Sequence, residues 1–321
     1  MDVLADVLRL ASLGNAVITQ SEMTAPWALL VPSEIRVAIH LIRRGGCWLR
    51  VPGASAPLRL CEGDIVLIPS ALAHILSDAP DTPPLPLEEG LALARQRAER
   101  ARDGEEGGAR AGLLCAEITF DAAARHPLAG LLPDVIHIPA REAESDEALG
   151  ALVRVLLEEA ERRRAGAQIV VARLIDVLLV LIVRHWLDAQ HMPNAGWLGA
   201  LRDPKILRAL AAMHRDPRHP WTVAALAAHA GLSRAAFARR FSLRVGQTPL
   251  GYLAQWRMNV AAKLLRSTML SVENVALSVG YDSATAFGAA FRRHLSISPG
   301  RYRAQATSAP QRLAIRQSSQ L

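Results

Sequence analysis

The spacing of apolar residues divides the chain into a β-rich part followed by a helical part. Between residues 27 and 76, short apolar or alternating runs such as Val37–Ile42 and Ile65–Ile68 are separated by glycine- and proline-containing turns. Strands at this spacing predict a small antiparallel barrel or sandwich. From residue 147 to residue 190 the apolar period becomes helical. The predicted fold class is therefore α+β.

A further pattern of apolar helices and turn signals occurs twice in the last third of the chain. The first copy runs from Val223 to Leu253 and the second from Val272 to Arg303. Matching residues lie 49 positions apart up to the glycine of the turn and 50 apart after it: Leu226 and Val275, Gly231 and Gly280, Phe237 and Phe287, Phe241 and Phe291, Pro249 and Pro299, Tyr252 and Tyr302. One supersecondary unit used twice accounts for this alignment. It predicts an all-α domain with two helix-turn-helix motifs.

Each copy has the residues that the motif needs at its turn and at its helix ends. Gly231 supplies the turn of the first copy, because a left-handed backbone costs glycine least. Thr222 and Ser271 are predicted to cap the first helix of each copy, and Ser233 and Ser283 the second. The second helix of each copy is the predicted recognition helix, with its two phenylalanines facing the core.

The face of each recognition helix opposite the phenylalanines is predicted to contact DNA. The candidate residues are Ser233, Arg234, Ala235, Ala238, Arg239, Arg240 and Arg244 in the first copy, and Ser283, Ala284, Thr285, Ala289, Arg292 and Arg293 in the second. Arg239 is the first candidate for base readout, since an arginine fits both acceptors of guanine. Arg240, Arg244, Arg292 and Arg293 are expected on phosphates. The first copy should therefore provide most of the specificity, and the second should mainly dock.

Between the two copies the sequence predicts a helical spacer. Thr248 is the predicted N-cap, Pro249 occupies the first helical position, and the helix should end near Arg266. About 17 residues at about 1.5 Å each give a rod of roughly 26 Å. A rigid spacer of that order can place two recognition helices in successive major grooves, which lie about 34 Å apart.

Charge separates the same two parts of the chain. Residues 195–321 hold 18 Lys+Arg and 4 Asp+Glu, a net charge of +14, whereas residues 1–194 hold 19 and 26, a net charge of −7. This asymmetry predicts a basic module for a polyanion, here double-stranded DNA. Three cysteines without a CxxC pair, and an N-terminus without a signal-peptide pattern, favour a reducing cytoplasm and a place at the nucleoid. Charges interrupt the most apolar stretch, so no membrane partner is expected.

The repeated segments resemble the AraC/XylS family of bacterial transcription regulators. The resemblance rests on GLSRAAFARRF, GQTPLGYL, VGYDSATAFGAAFRRH and SPGRYR, and more weakly on GDIVLIPSALAH at residues 63–74, which is similar to the sensor domain of a cupin-type subgroup. It implies a sequence-specific DNA-binding transcription regulator with a cupin barrel as its regulatory domain. Ala289 is a departure, since family members often have a polar or basic residue there.

The predicted domains are a cupin-like sensor domain at residues 1–145, with a flexible insertion at 80–112, a helical connector at 146–194, a double helix-turn-helix domain at 195–310, and a disordered tail at 311–321. The insertion is rich in proline, glycine and charge, which predicts at most a transient helix. Residues 193–196 would form the linker to the basic domain. The broad apolar face of the connector needs a partner. The same helix in a second subunit is favoured over the barrel, so a homodimer is expected.

The sensor domain has three candidate ligand-lining residues, His40, Trp48 and His74, which lie on predicted strands or at a strand end. Both histidines could point inward, but no HxH pair or matching glutamate accompanies them. Because a metal needs three or four ligands, no metal and no cofactor are predicted. A histidine held by a hydrogen bond is the simpler interpretation of each. Oxidant sensing by the cysteines is a further hypothesis, opposed by the usual inertness of buried cysteine.

Three functions stay open on the sequence alone. The favoured one is a signal-responsive transcription regulator without enzyme activity, with a small-molecule effector and RNA polymerase as further candidate partners. A cupin-type metalloenzyme with a DNA-binding tail would need a full set of metal ligands. A non-specific architectural protein would bind DNA of any sequence with a steep salt dependence.

Overall fold

The computed structural model describes residues 3, 6, 16–33, 37–70, 72–102, 108–118, 132–162, 164–189, 200 and 203–305. The described residues form two compact units. One contains the described residues from 16 to 118 and from 132 to 189, and the other contains residues 200–305 with Val3 and Asp6. The predicted linker at 193–196 and the predicted tail at 311–321 lie outside the described residues.

The first unit is built on two five-stranded sheets. Its strands are β1 (Ala16–Thr24), β2 (Ala28–Val31), β3 (Val37–Arg44), β4 (Gly46–Arg50), β5 (Leu58–Cys61), β6 (Ile65–Ile68), β7 (His74–Ser77), β8 (Leu85–Pro86), β9 (Arg110–Ile118) and β10 (Ile136–Ile138). The sheet orders are β1-β9-β3-β6-β10 and β5-β4-β7-β2-β8, antiparallel except for the short β2–β8 pair. The predicted β-rich N-terminal domain is confirmed, as two sheets.

One apolar core lies between the two sheets. It takes alternate residues from both, as the period of two along a strand requires: Ala38, Ile42, Val66, Ile68 and Leu113 from one sheet, and Leu29, Val31, Cys47, Leu49, Leu60 and Leu76 from the other. The chain passes from β3 to β4 at Gly45, whose φ is +71°. A Cβ there would lie 2.3 Å from the carbonyl oxygen of Arg110, so only glycine fits this crossing.

Helix α1 (Leu87–Arg102) corrects the prediction of a flexible insertion at residues 80–112. The chain forms a helix of 16 residues where at most a transient one was expected. Its high charge hid a narrow apolar stripe, because Leu87, Leu91 and Ala94 recur at helical spacing and pack against the core between the sheets. Packing of this stripe stabilises the helix, whereas its amino-acid composition alone would not make it stable.

Three more helices complete this unit: α2 (Ala140–Ser145), α3 (Glu147–Arg162) and α4 (Ala167–Ala189). Helix α4 packs against α3 and lies against β1 and β10. The two helices of the predicted connector thus belong to the same compact unit as the sheets. His185 on α4 is within 3.1 Å of Asp146, which also accepts a hydrogen bond from the backbone of Leu149 and so caps α3.

The second unit is helical. Its helices are α5 (Pro204–Arg215), α6 (Val223–Ala230), α7 (Arg234–Val245), α8 (Pro249–Ser267), α9 (Val272–Ser278) and α10 (Ala284–Leu295), and residues 299–305 are also helical. Helices α6 and α7 form the first helix-turn-helix, and α9 and α10 form the second. No helix in the described part of the chain is long and apolar enough to cross a membrane.

The predicted turn signals of the second unit are confirmed. The predicted caps each accept a hydrogen bond from the backbone N–H three residues further on: Thr222, Ser233, Thr248, Ser271 and Ser283. Gly231 is left-handed with φ +63°. The four phenylalanines are fully buried. Each recognition helix has 12 residues, so the repeat in the sequence is a repeat in structure.

Candidate nucleic-acid interface

Helix α7 presents the predicted contact face to solvent. Its phenylalanines fix the rotation of the helix, since their rings lie 5.5 Å apart and both are buried. Arg234, Ala235 and Arg239 are exposed, as is the capping Ser233, while Ala238 is half-buried. An arginine at the start of the helix and another in its middle are therefore free to reach a major groove.

Arg240 and Arg244, the two arginines of α7 that were expected on phosphates, both contact Asp203 within the protein. Arg240 Nε donates to Asp203 Oδ2 at 2.6 Å, and Arg244 Nε lies 3.8 Å from the same oxygen. The side chain of Asp203 is only 3% exposed. Its other oxygen accepts hydrogen bonds from the backbone of Lys205 and Ile206, so the same carboxylate caps α5. The buried carboxylate thus holds the middle of α7 against the start of α5.

The protonation of Asp203 agrees with this role. Burial alone would raise its pKa, but the hydrogen bond from Arg240 and those from the backbone of Ile206 and Lys205 outweigh burial. The net pKa of Asp203 is lowered, so the carboxylate is charged at neutral pH. Sequence reasoning missed this residue, although an aspartate before Pro204 is a strong capping signal.

Helix α10 presents a face of different chemistry. All of its predicted contact residues are exposed: Ser283, Ala284, Thr285, Ala289, Arg292 and Arg293. Its N-terminal half offers methyl groups, and its two arginines lie towards the C-terminal end. Ala290 occupies the position that Arg240 has on α7, so α10 has no arginine at the place where α7 is joined to Asp203.

Comparisons with known proteins agree with this arrangement. A family model described as Cupin matches residues 2–188, and one described as Helix-turn-helix domain matches residues 226–305. A putative AraC-like transcription regulator of Streptomyces lividans is 34% identical over 96% of this chain and 99% of its own length. This chain belongs to the AraC-like transcription regulators. The HTH-type transcriptional regulator AlkR of Acinetobacter baylyi is 30% identical over 95% of this chain and 100% of its own length.

Among solved structures, the DNA-binding domain of AdpA in complex with a target DNA is 36% identical. That likeness covers 33% of this chain and 96% of the solved chain, with a TM-score of 0.32.

The cupin domain of this AraC-like regulator contains a chain of hydrogen bonds between its sheets. Cys115 Sγ lies 3.0 Å from His40 Nδ1, and His40 Nε2 lies 2.8 Å from His74 Nε2. His74 Nδ1 lies 2.9 Å from the carbonyl oxygen of Leu72. Both histidines are almost fully buried and each is held by hydrogen bonds, which is the simpler of the two interpretations that the sequence allowed.

The carbonyl at the end of this chain sets the direction of every bond in it. Because a carbonyl only accepts, His74 Nδ1 must donate to Leu72, which leaves His74 Nε2 as an acceptor. His40 Nε2 then donates to His74, and the Cys115 thiol donates to His40 Nδ1. Burial lowers the pKa of both His40 and His74, the neighbouring His74 lowers that of His40 further, and burial raises the pKa of the Cys115 thiol. These three side chains are therefore neutral around pH 7.

This geometry does not fit a metal centre. Cys115 and His74 contact opposite nitrogens of the His40 ring, so the three side chains cannot converge on one ion. Among the described residues, no group of three or more His, Cys, Asp or Glu is placed to hold a metal. The metalloenzyme hypothesis therefore finds no ligand set in the described part of the chain.

Trp48 does not join the two histidines, which corrects its place in the predicted ligand-lining set. Its neighbours Cys47 and Leu49 face the core between the sheets, so alternation along β4 turns Trp48 to the other face. There its ring lies 5.3 Å from the guanidinium of Arg59.

Glu117 lies on the same face of β9 as Cys115, two residues further on, and burial raises its pKa to about 7.

Proposed function

We propose that this AraC-like regulator recognises promoter or operator DNA by placing α7 and α10 in successive major grooves. Its spacer helix α8 has 19 residues, which at about 1.5 Å each span roughly 28 Å. That length suits grooves about 34 Å apart on one face of the duplex. The observation that supports the proposal best is the exposed face of α7, with Arg234 and Arg239 on a helix whose rotation is fixed by buried phenylalanines.

The two recognition helices have different tasks in this proposal. Arg239 reads a base edge, since a bidentate arginine–guanine pair discriminates by about 1–3 kcal/mol. On α10, Arg292 and Arg293 hold phosphates, while Ala284 and Thr285 offer methyl contacts to thymine. Arg240 is taken out of the set of DNA contacts because Asp203 occupies it.

Selection of preferred sites from random double-stranded oligonucleotides, followed by binding at fixed salt, tests this assignment. We expect Arg239→Ala to lower the ratio of cognate to random affinity by about 5- to 150-fold, whereas Arg293→Ala weakens both by a similar factor. Arg215→Ala is the charge-matched control, because Arg215 is exposed on α5 rather than on a recognition helix. Equal effects of Arg239→Ala on cognate and random DNA would contradict the assignment.

We infer that the regulator pairs with a second copy through α4. One face of this helix is buried in its own unit, while Ile169, Val170 and Val177 on another face are 71%, 43% and 47% exposed. These three β-branched residues form an exposed apolar strip along one face of α4, which the same strip of a second copy can cover. Val177→Asp should convert a dimer into a monomer in sedimentation experiments, whereas the same change at Val155, exposed on α3, serves as control.

In this proposal the cupin domain is the regulatory domain and binds a small-molecule effector. RNA polymerase is the proposed protein partner of the DNA-bound regulator. His40 and His74, which are hydrogen-bonded to each other, are the lining residues that the proposal keeps. The named relatives are transcription regulators, and we assign the chain no catalytic step. An unbiased ligand screen that shifts neither melting temperature nor DNA affinity would argue against the effector.

A further inference from the structure

The middle of the spacer helix α8 divides between the cores of the two helix-turn-helix units. On its N-terminal side, Tyr252 contacts Phe241 of the first recognition helix edge-to-face, with ring centroids 5.9 Å apart, and Trp256 stacks on His214 of α5 at 3.5 Å. From Met258 onward, its buried residues belong to the core of the second helix-turn-helix unit, which also contains residues of α9 and α10. Arg257 is therefore the residue at which the two cores meet.

Arg257 contacts both units directly. Its Nε donates to the carbonyl oxygen of Pro217 at 2.7 Å, and its Nη2 donates to that of His219 at 3.0 Å. Both carbonyls lie in the connection that leads from α5 into α6, the first helix of the first motif. On the other side, the guanidinium carbon lies 5.9 Å from the ring centroid of Tyr281. Tyr281 lies in the turn of the second motif.

The groups that Arg257 contacts are themselves held in place. Trp221 Nε1 donates to the carbonyl oxygen of Asp216 at 2.9 Å, and the backbone N–H of His219 donates to the Asp216 side chain at 3.1 Å. These bonds fix the connection before α6. The Tyr281 ring meets Phe287 of the second recognition helix edge-to-face at 5.8 Å. Arg257 thus contacts the fixed connection before α6 on one side and, through Tyr281, the second recognition helix on the other.

The backbones of the two units also approach each other at this point. Gly280 has φ +82°, and a Cβ there would lie 2.7 Å from the carbonyl oxygen of Arg218 and 2.9 Å from Arg257 Nη2. The close approach therefore needs glycine in the second turn. The guanidinium lies between two surfaces that are already in contact, and its five donors in a rigid plane suit a link of this kind.

We propose that Arg257 fixes the distance and rotation between the two recognition helices, so that the protein selects DNA by the spacing between two boxes as well as by their sequences. This inference rests on the proposed placement of α7 and α10 in successive grooves. Arg257 is a positioning residue and touches no DNA. Its removal should leave each motif able to bind its own box while weakening the coupling between them.

The test measures binding of the full-length protein to two-box DNA at the selected spacing, at spacings one and two base pairs longer or shorter, and to DNA with the first box alone. For the wild type we expect a preferred spacing and weaker binding at the others. For Arg257→Ala we expect affinity at the preferred spacing to fall about tenfold, the spacing preference to flatten, and one-box affinity to stay within about twofold, since a lost coupling of this size is typical.

Arg303→Ala is the matched control. Arg303 also donates to backbone carbonyls, those of Leu265 and Leu270. Both acceptors belong to the second helix-turn-helix unit, so Arg303 does not join the two motifs. Its removal should lower the melting temperature without changing the spacing preference. Tyr281→Ala is a second variant, which removes the ring on the second unit while Arg257 keeps its two carbonyls, and it should flatten the spacing preference as well.

An unchanged spacing preference in a folded Arg257→Ala protein would overturn the inference, as would an equal loss on one-box and two-box DNA. If Arg257→Ala does not fold, Tyr281→Ala decides in the same way, and retention of the wild-type preference by that variant overturns the inference. A wild-type protein without any preferred spacing would instead refute the proposed use of two grooves. The two failures are therefore distinguishable.

Discussion

The two helix-turn-helix units share the residues that shape the motif and differ in those that face outward or tie the motif to its surroundings. Both have the glycine of the turn, the serine cap and two buried phenylalanines. Within residues 203–305, the first unit has an arginine joined to a buried carboxylate, through Arg240 and Asp203, whereas Ala290 takes the position of Arg240 in the second. The comparison of the two copies thus separates the residues that the motif needs to fold from a contact that occurs in one copy.

The largest effect should come from a change that both units share. Phe241→Ala and Phe291→Ala each remove a fully buried ring, which typically costs about 3–5 kcal/mol of unfolding free energy. If the two units are equivalent in fold, the losses measured by denaturant unfolding should agree within about 2 kcal/mol, the spread of one such substitution among buried sites. A much smaller loss at Phe291 would show that the second unit is only loosely packed.

Breaking the contact that only the first unit has should separate the two. Arg240→Ala removes the closer of the two arginines that contact the buried Asp203 carboxylate, while Arg244 stays 3.8 Å away. We expect a loss of about 1.5–3 kcal/mol, the usual contribution of a hydrogen bond to a charged group. Arg293→Ala, at an exposed position of α10, should change the unfolding free energy by less than about 0.5 kcal/mol. Similar losses at the two positions would contradict the role given to Asp203.

The same contact should depend on pH. Because the pKa of Asp203 is lowered in the folded state, its stabilising contribution is present above the pKa of the unfolded chain and is lost as pH falls through the folded value. The difference between wild type and Asp203→Asn should therefore be constant near neutral pH and shrink in strong acid.

Acid should also affect the first unit through His214. This residue stacks on Trp256 and lies 2.7 Å from the Tyr252 hydroxyl, and burial lowers its pKa to about 3. The folded pKa lies below the unfolded value of about 6.5, so stability is present at neutral pH and is lost as pH falls from about 6.5 towards 3. At pH 5 the loss should be roughly 2 kcal/mol relative to pH 7.

Unfolding experiments at pH 7 and pH 5 check this expectation. His214→Phe is a variant that keeps an aromatic ring but cannot take up a proton, and it should lose the pH dependence between those values. If the variant and the wild type weaken equally in acid, His214 is not the responsible group.

The smallest effect concerns one matched pair of positions. Gly288 lies within α10, where a Cβ would meet nothing within 4 Å, and the matching residue of α7 is Ala238. Gly288→Ala should stabilise by about 1 kcal/mol and Ala238→Gly should destabilise by about the same amount, as helix propensity predicts. Thermal melting of both variants would check the sign at each position. A gain at Gly288 accompanied by weaker DNA binding would place that position close to the groove.

The sequence predicted the features whose causes are local. Caps such as Ser233 and Ser283, the turn at Gly231 and the helical spacing of the phenylalanines depend on a few neighbouring residues, so one pattern contains the whole cause. The charged helix α1 was missed because the short stripe with Leu87 and Leu91 stabilises a helix only by packing against the core between the sheets. That core is formed by residues far away in the sequence.

The features that sequence reasoning missed depend on partners far away in the chain. Asp203 and Arg240 are 37 residues apart, and Cys115 meets His40 across 75 residues because β3 and β9 pair in that register. The pairing register of two strands and the packing of two helices depend on the three-dimensional fold, so the pattern along one sequence does not give them. Trp48 was misplaced for the related reason that the side of a strand facing the core follows from which of its neighbours are buried.

Helix α8 packs in the cores of both helix-turn-helix motifs, and this limits how the proposed DNA site can change. Insertion of one residue into an α-helix turns everything beyond it by about 100° and advances it by about 1.5 Å. One additional base pair turns a groove by about 34–36° and advances it by about 3.4 Å. No small whole number of base pairs compensates one residue in both rotation and advance. In the proposed docking of α7 and α10, the length of α8 and the length of the binding site would therefore have to change together, and a single step in one could not be repaired by a single step in the other.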